Sequence, residues 1–394
     1  MTNGIWNFDC FMLSSPSKDR KMKERIVFLD WLRVLACLMV ILVHSTEPFY
    51  LGDGGTLITC EANAVWSTLL DSPLRSAVPL FVLTSSYLLF PVKGETSVFL
   101  KRRFTRVGIP FLFWLLFYAF VPALGSSLSD YSFMENLKHL LLNFPDAGGH
   151  LWFLYMLLGV YLIMPVLSPW MEKLSKRGEE WFLGLWLITS LLPYLRRIAL
   201  SIYGLPEVWG EASWNEFGLL YYFNGFIGYV VMGHYFKQYV PELSWKMTLS
   251  LAFPLWIVGY ALVAGGFWYL MPKDFPVRES IDLAKDMETT WTYCSLGVVM
   301  TTVAYFLVAR KFTADGAVYQ RLIVPLSRLS YGIYLVHIFV LGIVFGLVSG
   351  WLSGFNPWIS TPIIIPCTAL LTFTASAMIT KLISYLPGHK YVIG

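Results

Sequence analysis

Long apolar stretches of membrane-spanning length follow one another along almost the whole chain. A helical bilayer crossing needs roughly 17–25 predominantly apolar residues. By this measure we predict ten spans, at residues 27–47, 73–92, 107–124, 150–168, 181–195, 217–236, 248–270, 289–309, 323–350 and 359–386. The fifth is short and the ninth is long, so a tilted or re-entrant path is expected at those two. The pattern predicts an all-α, polytopic membrane protein with about ten transmembrane helices.

The composition indicates the same class of protein. Of the 394 residues, 56% are hydrophobic and only 14% are charged, and the mean hydropathy is +0.60. A soluble domain cannot bury so large an apolar fraction. We therefore predict one membrane domain at residues 26–386, between a cytoplasmic segment 1–25 and a cytoplasmic tail 387–394.

The distribution of positive charge predicts the orientation. Cytoplasmic segments of membrane proteins carry an excess of Lys and Arg. With the N-terminus inside, 21 of the 29 Lys and Arg residues lie in inner segments and 7 in outer loops, while Arg33 lies within a span. Both termini are therefore predicted to be cytoplasmic.

Several kinds of site have no pattern in this sequence. The five cysteines lack the spacing of a disulfide framework or a metal site, and three of them fall within apolar spans. Phosphate-cradling glycine loops and serine-hydrolase elbows are also missing. We predict no bound metal and no nucleic-acid partner.

The first span carries ionisable residues on one face. At 100° per residue, Asp30, Arg33, His44 and Glu47 form a single stripe. Such groups cost about 2.5–3.5 kcal/mol each in hydrocarbon and usually mark a site. His44 is either a general base or a packing histidine, and the stripe favours the base. Asp30 and Arg33 are either an internal salt bridge or, for Arg33, a phosphate ligand about 16 Å from His44.

A basic cluster precedes the third span. It comprises Lys101, Arg102, Arg103 and Arg106, of which the last two share a helix face. Anchoring to anionic lipid headgroups explains such a cluster by itself. The alternative is a clamp for a phosphate-bearing donor, because Arg binds phosphate in a bidentate manner.

Two further groups of polar residues lie at span ends. His150 and Trp152 fit an aromatic belt at the outer face, and Tyr155 lies at a depth suited to an acceptor hydroxyl. Other residues expected at the outer ends, as a saccharide site requires, are Glu47, Arg75, Trp291 and Tyr293. In the ninth span, Tyr331, Tyr334 and His337 form a stripe on the inner half, for which interhelical hydrogen bonding is a sufficient explanation.

Several ordered motifs resemble the acyltransferase 3 family of integral membrane acyltransferases, over about residues 25–381. They are Arg33 and, after ten residues, His44; Val78-Pro79-Leu80-Phe81 leading to Ser85-Ser86; Arg103 and Arg106; the block from His150 to Tyr155; and the block from Ser330 to His337. The chain has Ser86 where the family often has glycine. We expect no attached extracellular hydrolase-like domain.

The resemblance implies an acyl-coenzyme A donor, usually acetyl-coenzyme A, used as a co-substrate with no permanently bound cofactor. It implies a hydroxyl acceptor on an extracytoplasmic or lipid-linked envelope glycan, in the cytoplasmic (inner) membrane of a bacterial-type cell. We also expect contact with membrane lipid, and we leave open whether the protein associates into a homo-oligomer. Catalysis at His44, by direct transfer or through an acyl-histidine, and donor binding through Arg33, Arg103 and Arg106 are implied.

These arguments define three sets of candidate residues. The catalytic set is His44, Arg33 and Asp30; the acyl-coenzyme A set is Arg103, Arg106, Arg102, Lys101, His337 and Tyr334; the acceptor set is Glu47, Arg75, His150, Trp152 and Tyr155. The main alternative is a transporter of a saccharide or lipid-linked intermediate, since polar stripes within the membrane suit one equally. The stripe at residues 33–44 has no counterpart in the second half, which counts against it.

Overall fold

The computed structural model of the chain describes residues 25–52, 55–120, 133–205, 207–212 and 214–394. Helices dominate this part. Those of the first half are α1 (Val27–Thr46), α2 (Glu61–Asp71), α3 (Ala77–Leu89), α4 (Thr96–Arg103), α5 (Ile109–Phe120), α6 (Phe133–Leu142) and α7 (Trp152–Lys173). Those of the second half are α8 (Lys176–Tyr203), α9 (Ile227–Gln238), α10 (Trp245–Leu270), α11 (Ile281–Met287), α12 (Leu296–Ala309), α13 (Val324–Trp351) and α14 (Pro357–Ile383).

Polar side chains fix where three of the long helices begin. Ser175 accepts a hydrogen bond from the Gly178 amide at the start of α8, and Ser244 accepts one from Met247 at the start of α10. Asn356 caps α14 in the same way. Each cap satisfies an amide that has no partner within its helix.

Seven helical stretches of the described residues are long and apolar enough to cross a membrane. They are Val27–Phe49, Thr96–Phe120, Gly148–Lys173, Lys176–Tyr203, Trp245–Leu270, Tyr319–Trp351 and Pro357–Ile383. A pair bent by 50°, Ile281–Trp291 with Leu296–Ala309, makes an eighth if it forms one broken span. The chain is therefore a helical membrane protein.

Two of the predicted spans have helices that are too short to cross a bilayer alone. Residues 73–92 contain α3 with 13 residues, and residues 217–236 contain α9 with 12. At 1.5 Å per residue each helix is about 20 Å long or less, against a hydrocarbon core of about 30 Å. The number of ten crossings and the cytoplasmic location of both termini therefore remain predictions.

A small antiparallel sheet departs from the all-α prediction. It has the order β1 (Leu51–Gly52), β2 (Gly55–Ile58), β3 (Val277–Ser280), so it joins two segments far apart in sequence. A Cβ on Gly55 would lie 2.3 Å from the Glu279 carbonyl oxygen, so only glycine allows this pairing. Strands of two to four residues are too short to give an alternating pattern.

Helix α1 lies at the centre of the bundle. It contacts α2, α3, α12, α13 and α14. Its buried residues include Leu32 and Ile41, which are fully enclosed. A helix packed on so many sides can hold charged side chains only where other elements supply partners.

Candidate active site

Three histidine rings from separate parts of the chain meet near the C-terminal end of α1. His44 lies in the last turn of α1, His150 in the 3₁₀ turn Asp146–Leu151 before α7, and His337 within α13. The ring centroid of His337 lies 5.3 Å from that of His44 and 5.1 Å from that of His150, and His44 and His150 are 6.4 Å apart. We call these three residues the histidine cluster.

Glu47 is the hydrogen-bond partner of His44. The Oε1 atom of Glu47 lies 2.8 Å from Nδ1 of His44, one turn away. Because an ionised carboxylate can only accept, this contact holds the proton on Nδ1 and leaves the Nε2 lone pair free. The His44 side chain is 17% exposed, so the cluster is open at this ring. The sequence analysis predicts Glu47 in the acceptor set, and the pairing of Glu47 with His44 is a finding of the structure.

The other two rings of the cluster are enclosed. His150 is 5% exposed and His337 is fully buried. Nδ1 of His337 lies 2.5 Å from the Tyr334 carbonyl oxygen, to which it donates, and its Nε2 has no partner. Both ring nitrogens of His150 lack a partner among the described residues. Buried polar atoms in this state are rare and generally indicate a place for a ligand or water.

Aromatic side chains form the wall of the cluster. The Tyr118 ring meets His150 edge-on at 4.9 Å, and its hydroxyl donates to the Leu335 carbonyl at 2.9 Å. The Tyr334 hydroxyl donates to the His150 carbonyl, and the Tyr334 ring packs on Phe153. These contacts fix the turn that carries His150 against α13.

This position of Tyr334 and His337 differs from the prediction. Both residues were assigned to donor binding on the inner half of their span. The helical stretch begins at Tyr319, four residues earlier than predicted, so His337 lies about 25 Å along it. His337 therefore lies beside His44, and Tyr334 lies beside His150 and His337.

Asp30 connects three elements at the opposite end of α1. Its carboxylate accepts two hydrogen bonds from Arg25, at 2.9 and 2.7 Å, and one each from Tyr319 and Ser327. Arg33 is a more distant partner at 3.7 Å. Asp30 thus ties α1 to α13, and the length of α1 separates it from His44 by about 21 Å. The predicted Asp30–Arg33 salt bridge is present but weak.

Three arginines converge on Tyr161 at this same end. Tyr161 is buried in α7, within electrostatic range of Arg33, Arg103 and Arg106. The Arg103 guanidinium lies 5.6 Å from the Phe99 ring centroid, and its buried Nε has no hydrogen-bond partner among the described residues. The charged side chains that act on Arg103 are Arg106 and Arg102, both cations. Such a group of cations has the charge and the free donors to bind an anion.

The backbone at the arginines is irregular. Residues Phe104–Gly108 form a π-helical turn between α4 and α5, and Tyr319–Ile323 form another before α13. Turns of this kind occur often at functional sites. Lys101 and Arg102 lie just before the first one and are exposed, as lipid anchoring or a peripheral role in ligand binding would both require.

Arg75 belongs to a buried network beside the C-terminal end of α1. It donates to Asp71 at 2.6 and 3.0 Å and to the Tyr50 hydroxyl at 3.0 Å, and its guanidinium lies 4.0 Å from the Trp291 ring centroid. Thr46 of α1 donates to Asp71. The contacts of Arg75 are those of a residue that holds α1, α2 and the turn before α12 together, so binding of an acceptor by Arg75 stays a prediction.

Trp152 and Tyr155 of α7 contact different parts of the structure. The Trp152 ring stacks on Tyr293, with centroids 5.1 Å apart. Tyr155 is 41% exposed and meets Phe111 and Phe144 edge-on or tilted, at 4.8 and 6.1 Å. The structure therefore does not bring Tyr155 to the histidine cluster. Among the described residues, no group of three His, Cys, Asp or Glu side chains is arranged to hold a metal ion.

Sequence reasoning also missed residues for which a signal existed. Asp71 lies four residues before Arg75, which is the spacing of a helical ion pair. Tyr161 had no such signal, because only the packing of α7 places it among the arginines.

Comparison with known families agrees with this architecture. Residues 26–381 match a family model described as an acyltransferase domain, that of the acyltransferase 3 family. A match over most of the chain defines a membrane acyltransferase, and the protein belongs to this family. Searches of curated proteins and of solved structures gave no match.

Proposed function

We propose that this protein is a membrane O-acyltransferase that moves an acyl group, acetyl in the first instance, from cytoplasmic acyl-coenzyme A to a glycan hydroxyl. The observation that carries the proposal is the His44–Glu47 pair, which leaves a free imidazole lone pair in an otherwise enclosed histidine cluster. A cationic group with free donors lies at the other end of the same helix.

The arginines are the proposed binding site for the donor's phosphates. Arg33, Arg103 and Arg106 all lie within electrostatic range of Tyr161, and a phosphate bound beside this ring would give the buried Nε of Arg103 a partner. Lys101 and Arg102 add charge at the entrance. From this end the pantetheine arm would follow α1 for about 16 Å, which brings the thioester to the histidine cluster.

His44 is the proposed general base. Its Nε2 takes the proton of the acceptor hydroxyl while the hydroxyl oxygen forms a bond to the thioester carbonyl carbon. Glu47 keeps Nδ1 protonated and stabilises the imidazolium, as the carboxylate of a catalytic triad does. The carbon–sulfur bond then breaks, and the leaving thiolate takes the proton from His44. The products are an ester and free coenzyme A.

The acceptor proposal rests on resemblance and on sidedness. The segment Trp291-Thr292-Tyr293-Cys294 resembles the bacterial enzyme that O-acetylates enterobacterial common antigen. We therefore propose an extracytoplasmic or lipid-linked envelope glycan as acceptor, and the bacterial inner membrane as location. The Trp152–Tyr293 stack, near the histidine cluster, offers an aromatic surface of the kind that sugar rings pack on.

The decisive experiment measures transfer of labelled acetyl from acetyl-coenzyme A to total envelope glycans by purified protein in detergent. We expect turnover by the wild type and a loss of about 10²–10⁴-fold in His44→Ala, because a positioned base is removed. The histidine control is His389→Ala, since His389 is exposed near the C-terminal end. Donor binding without turnover of any donor would favour a transporter, and near wild-type turnover in His44→Ala would exclude this base.

A further inference from the structure

The histidine cluster contains more imidazole groups than a single general base requires. His150 and His337 together present three ring nitrogens without a hydrogen-bond partner among the described residues, and both side chains are at least nine-tenths buried. Leaving a buried polar atom without a hydrogen-bond partner costs free energy, which a bound substrate that supplies the partner would recover. A mechanism in which His44 is the only catalytic residue assigns no role to these nitrogens.

The proton positions of two rings follow from their contacts. A neutral imidazole has one N–H and one lone pair. His44 directs its Nδ1 to the Glu47 carboxylate, and His337 directs its Nδ1 to the Tyr334 carbonyl, so both N–H groups face acceptors. The Nε2 atoms of both rings are consequently lone pairs. Neither ring can donate a hydrogen bond to a substrate oxygen while it is neutral.

The hydroxyl groups beside the cluster already donate hydrogen bonds to backbone carbonyls. Tyr118 donates to the Leu335 carbonyl at 2.9 Å, and Tyr334 donates to the His150 carbonyl. The Leu335 carbonyl faces His150 as well, but without the geometry of a hydrogen bond. His150 is therefore the one ring of the three whose N–H has no acceptor in the described structure.

We propose that His150 is a catalytic residue whose N–H binds the thioester carbonyl oxygen of the donor. The inference rests on the proposed function. As the acceptor oxygen bonds to the carbonyl carbon, the electron pair of the C=O bond moves to this oxygen, and the His150 N–H stabilises the negative charge without transferring its proton. When the carbon–sulfur bond breaks, the pair returns to the C=O bond.

This role fits the rigidity of the His150 position. Stabilisation of a developing oxyanion depends on a donor that is already in place, in surroundings that exclude water. Tyr334 holds the main chain of His150, and the Tyr118 ring meets its imidazole edge-on at 4.9 Å. The main-chain bond does not depend on the imidazole, so a substitution of the ring leaves it intact.

The test compares His150→Leu, which removes the donor, with His150→Gln, which keeps an N–H group of similar reach. We expect His150→Leu to lower kcat by about 10²–10³-fold, as removal of one oxyanion donor does, and to lower donor affinity by a much smaller factor. The kcat of His150→Gln should be at least tenfold higher than that of His150→Leu. The control is His389→Leu, which changes an exposed histidine outside the site.

A spectroscopic measurement separates this inference from the base mechanism. Acetyl-coenzyme A labelled with ¹³C at the carbonyl is bound to the His44→Ala variant, and its C=O stretch is recorded by infrared difference spectroscopy. The stretch should move to lower frequency on binding, and the shift should be lost in His44→Ala/His150→Leu. An equal shift in both variants, or a kcat of His150→Leu within threefold of wild type, overturns the role of His150 alone. Absence of donor binding overturns the proposed function with it.

Discussion

At the scale of single residues, the two carboxylates on the stripe of α1 have different surroundings. Glu47 has one described hydrogen-bond partner, His44, and its side chain is 34% exposed. Asp30, by contrast, accepts bonds from Arg25, Tyr319 and Ser327, which leaves little capacity for a substrate. Two carboxylates on one stripe thus differ in their capacity for further hydrogen bonds, because their partners differ.

Replacement of Glu47 tests whether it orients the base. Glu47→Gln should lower kcat by about 10²-fold or more, because the amide no longer fixes the His44 proton on Nδ1 or stabilises the imidazolium. Donor affinity should stay unchanged, since the arginines lie about 20 Å away along α1. Steady-state kinetics and calorimetry with coenzyme A measure the two quantities. Glu61→Gln, at an exposed position, is the control, and full activity of Glu47→Gln would refute the pairing.

The arginines provide a second prediction at this scale. Arg103→Ala or Arg106→Ala should weaken coenzyme A binding by about 10- to 150-fold, because each removes a charge-assisted bond worth roughly 1.5–3 kcal/mol. The loss should be smaller for coenzyme A that lacks its 3′-phosphate. Lys246→Ala, at an exposed position in α10, is the control. An equal loss in the control would mean that bulk charge, and no defined phosphate site, attracts the donor.

At the scale of elements, the short helices α3 and α9 depend on close contact with each other. Ser86 donates to the Val230 carbonyl across this interface. A Cβ on Gly233 would lie 2.8 Å from the Ser86 side chain and 3.0 Å from the Leu83 carbonyl oxygen. Ser86 is therefore accommodated by a glycine on the facing helix.

Gly233→Ala should destabilise the protein by about 1–3 kcal/mol, the usual cost of overpacking, because α3 and α9 must move apart. Thermal unfolding in detergent measures the effect. Gly265→Ala in α10 is a matched control, since a Cβ there meets open space. Ser86→Gly should restore part of the stability lost in Gly233→Ala. Equal melting temperatures for the two alanine variants would show that the interface is loose.

The helical content was predictable because it follows from runs of apolar residues, and each predicted span contains a helix. The stripe on α1 was also predictable, since helical period alone determines it. The meeting of His150 with His337 was not, because local spacing carries no information about residues 187 positions apart. The sheet was missed for the same reason, as Gly55 pairs with Ser280.

At the scale of the whole molecule, the proposed reaction requires a donor side and an acceptor side. The charge distribution predicts that the first outer loop carries Cys60, which is partly exposed in the structure. Cys10 lies on the predicted cytoplasmic side, outside the described residues. The two thiols are therefore natural probes of orientation.

An impermeant thiol reagent should label Cys60 in intact cells, and should label Cys10 only after the membrane is opened. The reason is the excess of Lys and Arg on the side of Cys10. Mass spectrometry of the labelled peptides measures the result, and Cys60→Ser supplies the blank. Labelling of Cys10 from outside would reverse the topology and, with it, the direction of acyl transfer.

The continuity of α1 has a consequence for donor choice. The helix runs unbroken from Arg33 to His44, so the distance between the proposed phosphate site and the proposed base is fixed at about 16 Å by helix geometry. In the proposed reaction, a donor must be long enough to bind the arginines through its phosphates while its acyl group reaches His44. A thioester of a short thiol would reach only His44 and would have to bind through its acyl end alone. On this proposal, α1 selects a donor by its length as well as by its charge.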